Sequence, residues 1–374
     1  MTTYVGTNSD DTYSSSSDDV YYGLDGNDSL TAVYGPISHP VIYGGEGNDT
    51  LSGLTATAYG GNGNDQISST ARAYGGDGND TLLNIGASPS EHGSAYADGG
   101  AGNDYVQAID GLNTTAGSYL YGGDGNDTLE LVTTVNYAGG QDVFYGGEGA
   151  DLLFVSGPYG LYGDYMYGGA GNDTILGGAA ADTLVGDAGV DLLEGGGGND
   201  YLYMSSGGGT AYGGDGNDVF VGSFVKDIMI GDAGDDVEYG YGGNDYLYGG
   251  AGNDVMFGSD GVDVLIGGAG NDYFDGGTGV NYYFGGDGGG PGTGLGNDTF
   301  VVNDVPGVQV VQDWTPSLDV VQLNGSGFTS FADVLSHSYQ NGAYFVVQVD
   351  ADTAVWLNGA SAGTVTAANF SIVS

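Results

Sequence analysis

The chain has 374 residues, with 49 Asp and Glu against Arg72 and Lys226, for a formal net charge of −47. Such a chain offers no cationic surface to nucleic-acid phosphates or anionic lipid, and it repels itself when compact unless a cation neutralises it, for which divalent metal is the economical choice. Without Cys there is no disulfide or thiolate site, no apolar run is long enough to span a membrane, and 80 Gly with 7 Pro and no G-X-Y period exclude collagen. A hydrophobic content of 40% with 30 Tyr argues for a solenoid rather than a disordered chain.

The N-terminus, Met1 to Gly6, has neither a charged nor an apolar leader region, so no Sec-type signal peptide is expected there. Glycine-rich turns begin at once, with Gly6–Asp11 degenerate and Gly23–Asp28 well formed. Further six-residue turns start at Gly44, Gly60, Gly75, Gly99, Gly122 and Gly146, at intervals between 15 and 24 residues. Each interval is read as one coil with a single metal turn, closed opposite by variable loops such as 86–90 and 113–115. Residues 1–167 are therefore expected to form coils of irregular length.

From Gly168 to Phe284 thirteen nine-residue units run without a break, such as Gly168-Gly169-Ala170-Gly171-Asn172-Asp173-Thr174-Ile175-Leu176. The spacing predicts that alternate turns stack on alternate edges. One edge carries Asp173, Asp191, Asp227, Asp245 and Asp263; the other carries Asp182, Asp200, Asp218, Asp236, Asp254 and Asp272. The eighth position points inward, from Ile175 and Leu184 through Phe220 and Met229 to Leu265 and Phe274. Glu238 breaks that series, and since an unpartnered buried carboxylate is costly, a local shift burying Val237 is expected. Met204–Gly209 lacks the Asp, and Gly222–Asp227 lacks the Gly pattern but contains Lys226, so the Lys226 ammonium is expected to replace an ion there. Residues 168–294 form this regular part.

Residues 295–374 change composition. Strands are expected at Thr299–Val302, Val308–Val311 and Val320–Leu323, a short helix at Ser330–Ser338, and a hairpin of Tyr344–Val349 with Ala354–Leu357.

The nonapeptide G-G-x-G-x-D-x-U-x resembles that of the RTX (repeats-in-toxin) family of secreted calcium-binding proteins, over almost the whole chain. The resemblance implies an all-β fold: a right-handed parallel β-roll or β-helix solenoid with a C-terminal β-rich cap. The chemistry agrees. Calcium takes six to eight hard oxygens, the turns expose backbone carbonyls, and the sixth-position Asp adds a carboxylate. The expected metal residues are Asp28, Asp49, Asp65, Asp80, Asp104, Asp127 and Asp151 with the later Asp residues named above except Asp227, and Gly44, Gly60, Gly75, Gly99, Gly122, Gly146, Gly168, Gly213, Gly249 and Gly267. About fifteen ions are expected, each joining coils far apart in sequence. Asn48, Asn64, Asn79, Asn103, Asn126 and Asn172 are expected to bond within their own turns. Tyr43, Tyr59, Tyr74, Tyr121, Tyr145, Tyr167, Tyr212 and Tyr248 are expected to stack as a ladder, a sugar-binding strip being the alternative. The tail, through Asp313-Trp314, Asp319-Val320-Val321, Phe331–Leu335 and Asn369–Ile372, resembles the capping and export region of RTX proteins that use type I secretion, although that family more often has Phe at the place of Trp314.

No HExxH motif is present, His39, His92 and His337 lie far apart, and Gly359-Ala360-Ser361-Ala362-Gly363 has no His downstream. The chain is therefore expected not to be an enzyme, with no catalytic residues and no organic cofactor. Three readings stay open. The first is a secreted bacterial structural protein of a surface layer, matrix fibre or adhesive coat, self-assembling or bound to cell-surface polysaccharide. The second is a β-helix enzyme on an extracellular polysaccharide, its cleft formed by loops 83–97, 108–120 and 131–143. The third is a calcium-dependent export and folding module for a partner chain. The type I secretion machinery is the expected export partner.

Overall fold

The computed structural model describes residues 3–16, 20–33, 39–85, 95–110, 117–133, 140–157, 162–286 and 296–373. The closing loops at 86–90 and 113–115, His92 and much of the three loops named for a cleft lie outside them. The chain divides into two compact units, Met1–Glu194 and Gly195–Ser374.

In the first unit two parallel sheets face each other. One stacks Thr3–Val5, Val20–Asp25, Val41–Glu46, Thr57–Asn62, Arg72–Asp77 and Tyr96–Ala101, then Tyr119–Asp124, Val143–Glu148, Tyr165–Ala170 and Thr183–Ala188. The other stacks Thr12–Ser15, Ser29–Ala32, Thr50–Ser52, Gln66–Ser68 and Thr81–Ile85, then Tyr105–Asp110, Thr128–Thr133, Leu152–Ser156 and Thr174–Gly178. The strands alternate in sequence between the sheets, so each pair makes one coil. Side chains with period two fill the space between: Ile42, Leu120, Phe144 and Met166 from one sheet, Leu30, Leu51, Ile67 and Leu82 from the other, all fully buried. This is the parallel β-roll solenoid that the repeat predicts.

The second unit repeats the plan. The inward series holds: Leu202, Ala211, Phe220, Met229, Leu247, Met256, Leu265 and Phe274 are fully buried. The strands of the tail differ from expectation in what they do. Thr299–Val302 and Val320–Asn324 continue one sheet in parallel, and Gly307–Val311 and Thr353–Asn358 continue the other. The coil thus outlasts the repeat, because Val-rich strands pair and bury their side chains without a glycine turn. A helix at Phe331–Ser336, capped by Ser330, and an antiparallel pairing of Tyr344–Gln348 with Thr353–Asn358 fall where predicted.

Glu238 corrects the sequence reading. It is fully buried, whereas Val237 is half-exposed. The strand stays in register, with Glu238 between Phe220 and Met256, because a one-residue slip would turn every side chain of that rung to the wrong face. Neither carboxyl oxygen has a hydrogen-bond partner, and burial raises its pKa well above the usual range, so it is held neutral. Glu238→Leu should therefore stabilise the calcium-loaded protein by about 1–3 kcal/mol, read by thermal melting, while Glu238→Gln should change little.

Candidate metal centre

The glycine that opens a glycine-rich turn leaves, by its missing side chain, space for oxygen. A Cβ on Gly44 would collide with the Asp49 Oδ2 of its own turn and with the carbonyl of Gly60 in the following coil. The same pair recurs beside Gly60 (Asp65, Gly75), Gly75 (Asp80, Gly99), Gly99 (Asp104, Gly122), Gly122 (Asp127, Gly146) and Gly146 (Asp151, Gly168), and in the second unit beside Gly213 (Asp218, Gly231). Beside Gly168, Gly249 and Gly267 stands the carboxylate of Asp173, Asp254 or Asp272.

The turn Asp residues form ladders along the coil edges. In the first unit the amide of each Asp donates to Oδ1 of the next: Asp28 to Asp49 at 2.7 Å, Asp49 to Asp65 at 2.7 Å, Asp65 to Asp80 at 2.7 Å, and on to Asp173 to Asp191 at 3.0 Å. In the second unit one ladder runs from Asp200 through Asp218, Asp236, Asp254 and Asp272 to Asp298. The other runs Asp227, Asp245, Asp263 and Asn281. The edges expected from the nonapeptide spacing are those found within each unit, and all seventeen predicted Asp residues are buried.

The ladder uses one carboxylate oxygen and leaves the other. Oδ2 of Asp49, Asp65, Asp80, Asp104, Asp127, Asp151, Asp173, Asp236, Asp245, Asp254 and Asp272, among others, is buried with no hydrogen-bond partner. Burial raises these carboxyls, partly offset by the amide each accepts: Asp49 and Asp80 to about 6, Asp65, Asp104, Asp151 and Asp245 to about 7. An orphaned buried carboxylate oxygen is costly, and a row of them beside backbone carbonyls, with no nitrogen or sulfur donor, fits a hard cation such as calcium. Among the described residues no three His, Cys, Asp or Glu side chains gather to hold a metal. The Asp residues stand in single file, so the remaining donors of any ion would be main-chain carbonyls.

Two side-chain expectations change. The Asn residues bond between coils rather than within turns: Asn48 Oδ1 accepts from the Asn64 amide at 2.8 Å, and Asn103 Oδ1 from the Asn126 amide at 2.8 Å. Stacking brings the next coil's amide to the side chain. Lys226 does not replace an ion at Asp227. It is exposed, with no ion pair among the described residues, and Asp227 Oδ2 instead accepts from the Ser223 amide at 2.7 Å and hydroxyl at 3.0 Å. A short hydroxyl four residues away reaches the carboxylate with less ordering than a long cationic chain.

The sequence reading also missed residues. Asp142 and Asp164 form a ladder to Asp182, with Asp142 to Asp164 at 3.0 Å and Asp164 to Asp182 at 2.7 Å. Each lies nine residues before a turn Asp (Asp151, Asp173), which is the signal that could have found it. Asp298 continues the second unit's ladder, its Oδ1 accepting from the Asp272 amide at 3.1 Å.

The Tyr ladder is present from Tyr22 through Tyr43, Tyr59 and Tyr74, and again from Tyr121 through Tyr145 to Tyr167, with stacked centroids 4.7–5.1 Å apart. The rings cover one another's faces and present edges to solvent, which leaves no open face for a sugar. Tyr212 and Tyr248 alternate with Ile230 and Ile266 instead. On the opposite sheet Glu130 accepts from Tyr105, Gln107 and Ser156, and these donors hold its carboxyl below the usual range despite burial. Ser361 lies in a turn, its amide donating to Thr364 Oγ1 at 2.8 Å.

A family described as RTX calcium-binding nonapeptide repeat (4 copies) matches residues 13–32, 41–55, 57–71, 72–83, 118–131, 138–156, 160–193, 167–202, 176–211, 203–238, 222–256 and 257–290, together more than half of the chain. No curated protein matches it. The crystal structure of extracellular lipase LipA from Serratia marcescens is similar at 17% identity and a TM-score of 0.30, covering 58% of this chain and 40% of that one. The chain thus spans less than half the length of that lipase.

Proposed function

Since the chain belongs to the RTX calcium-binding nonapeptide-repeat family, we propose that it is a secreted, calcium-folded solenoid with a structural and non-enzymatic role. The observation that carries this reading is the row of buried, unpartnered Asp Oδ2 atoms, each beside a glycine of its own turn and, in most coils, a carbonyl of the next. Calcium, when bound, supplies the positive charge that these oxygens lack. The predicted Asp carboxylates and the carbonyls of the turn glycines hold about fifteen ions along residues 1–167 and 168–294. Residues 295–374 cap the coils and carry the type I export signal.

The protein's own groups set when it folds. In a cytosol poor in calcium, adjacent carboxylates repel across each ladder and the chain stays open for export. Extracellular calcium modules bind at ~10⁻⁴–10⁻³ M, so millimolar calcium outside suffices to close the coils. The supporting feature for a surface layer, fibre or coat is that turns and coils occupy nearly every part of the chain. Adding calcium to the purified protein should yield ordered assemblies by electron microscopy. A monomer that persists at saturating calcium would remove the assembly role and leave the calcium role standing.

A further inference from the structure

Resting on the calcium reading, we propose that four turns are closed by the protein's own donors and take no ion, and that these turns mark where the calcium rows stop. At ion-type turns the second residue has positive φ and, except at turn 177–182 where Ala180 stands fourth, the fourth is a glycine with positive φ, as at Gly45 (121°) and Gly47 (119°). That backbone turns the second amide away from the carboxylate, and Oδ2 is left without a partner.

Three turns lack the fourth-position glycine and have Ser or Thr second: Thr7 with Ser9, Ser223 with Val225, and Thr315 with Ser317. None of the three second residues has positive φ. Each donates its amide to Oδ2 of the Asp four residues on: Thr7 to Asp11 at 2.6 Å, Ser223 to Asp227 at 2.7 Å, Thr315 to Asp319 at 2.7 Å. Thr7 and Ser223 add their hydroxyls at 3.0 Å, so at Asp227 the oxygen left without a partner is Oδ1 and not the Oδ2 left over at ion-type turns. Residue type alone does not decide this. Ser259 also stands second, but with φ 74° and Gly261 fourth, and its Asp263 Oδ2 stays unpartnered.

The fourth closed turn uses an amide. In Gly276–Asn281 the sixth residue is Asn281, fully buried, whose Nδ2 donates to the Gly276 carbonyl at 2.7 Å while Oδ1 accepts from the Asp263 amide at 2.9 Å. The amide thus puts a donor where an ion would put charge.

The placement is consistent. Thr7 and Asp11 open the first unit's long ladder, and Thr315 and Asp319 end the second unit's. Ser223 and Asn281 bound the row of Asp245 and Asp263 on its other edge. Turn 222–227 stands between paired coils on both sides, so the backbone at Ser223, and not a missing neighbour, decides what reaches Asp227 Oδ2. Hydrogen bonds satisfy it in place of an ion.

The experiment is an anomalous-scattering map of calcium-grown crystals. Calcium peaks at Asp245 and Asp263 with none at turns 6–11, 222–227, 276–281 and 314–319 are expected. A strong peak at turn 222–227 overturns the proposal, whereas no peak at any turn overturns the calcium reading on which it rests. In solution, Asn281→Asp and the double variant Ser223→Gly/Val225→Gly should each bind one more calcium per chain by metal analysis of the folded protein. Unchanged stoichiometry in folded variants overturns the proposal; since either variant could fail to fold, the wild-type map decides alone.

Discussion

Chelation at neutral pH should abolish most of the β-structure seen by circular dichroism, and lowering the pH of the chelated protein to about 5 should restore much of it. The turn carboxyls have folded-state values raised from 3.8 to about 6 at Asp49 and Asp80 and to about 7 at Asp65, Asp104, Asp151, Asp236 and Asp272. A raised carboxyl means that the folded state binds protons more tightly than the unfolded one. The metal-free fold is therefore least stable above about pH 7, gains stability as pH falls through 7 and 6, and has the full gain below the unfolded value near 4. With saturating calcium the sign reverses, because the ion needs these oxygens deprotonated, so the calcium midpoint should rise as the pH is lowered from 7 to 5. Molar sodium chloride tests the cause. Salt screens the overall repulsion of a chain of net charge −47 but does not reach desolvated oxygens, so it should not refold the chelated protein. A chelated sample that keeps its β-signal at pH 8 would remove the role given to the unpartnered Oδ2 atoms.

The nine-residue period made the fold and most of the site readable in advance. Side chains alternate across each short strand, so one repeat fixes which residue is buried and which Asp faces the edge, and Ile175, Leu184 and Asp173 fall accordingly. Legibility failed where local signals and three-dimensional neighbours part. Asp142 and Asp164 sit in turns without the full glycine signature, and only their nine-residue offset gives them away. The tail strands Gly307–Val311 and Thr353–Asn358 look like a separate cap because they lack glycine turns, yet they continue the coil by pairing alone. Lys226 misled because charge counting favours the nearest cation, while the geometry answers Asp227 with Ser223. Glu238 misled for the opposite reason: the local cost of one carboxyl is smaller than that of breaking two strand pairings.

Gly100→Ala should be among the most damaging single substitutions outside the ion-facing atoms, and Gly342→Ala among the mildest, although both glycines have positive φ. Gly100 has φ 108°, and a Cβ there would collide with the carbonyl of Gly76 in the preceding coil, main-chain atoms that cannot swing aside. Gly342 has φ 62° and nothing within 4 Å of an added Cβ. Gly342→Ala should therefore cost only the left-handed backbone penalty, about 1–2 kcal/mol. Gly100→Ala adds overpacking between stacked coils, for a total of about 2–5 kcal/mol. The loss should also spread. Each coil contacts only its neighbours, so separating the coils at Gly76 and Gly100 opens the Asp80 to Asp104 step of the ladder as well, and folding should demand more calcium. Calcium titrations followed by circular dichroism should show the midpoint raised for Gly100→Ala and nearly unmoved for Gly342→Ala. Equal midpoints would mean that the glycines serve only their own turns, and that close approach of stacked carbonyls is not what joins one coil to the next.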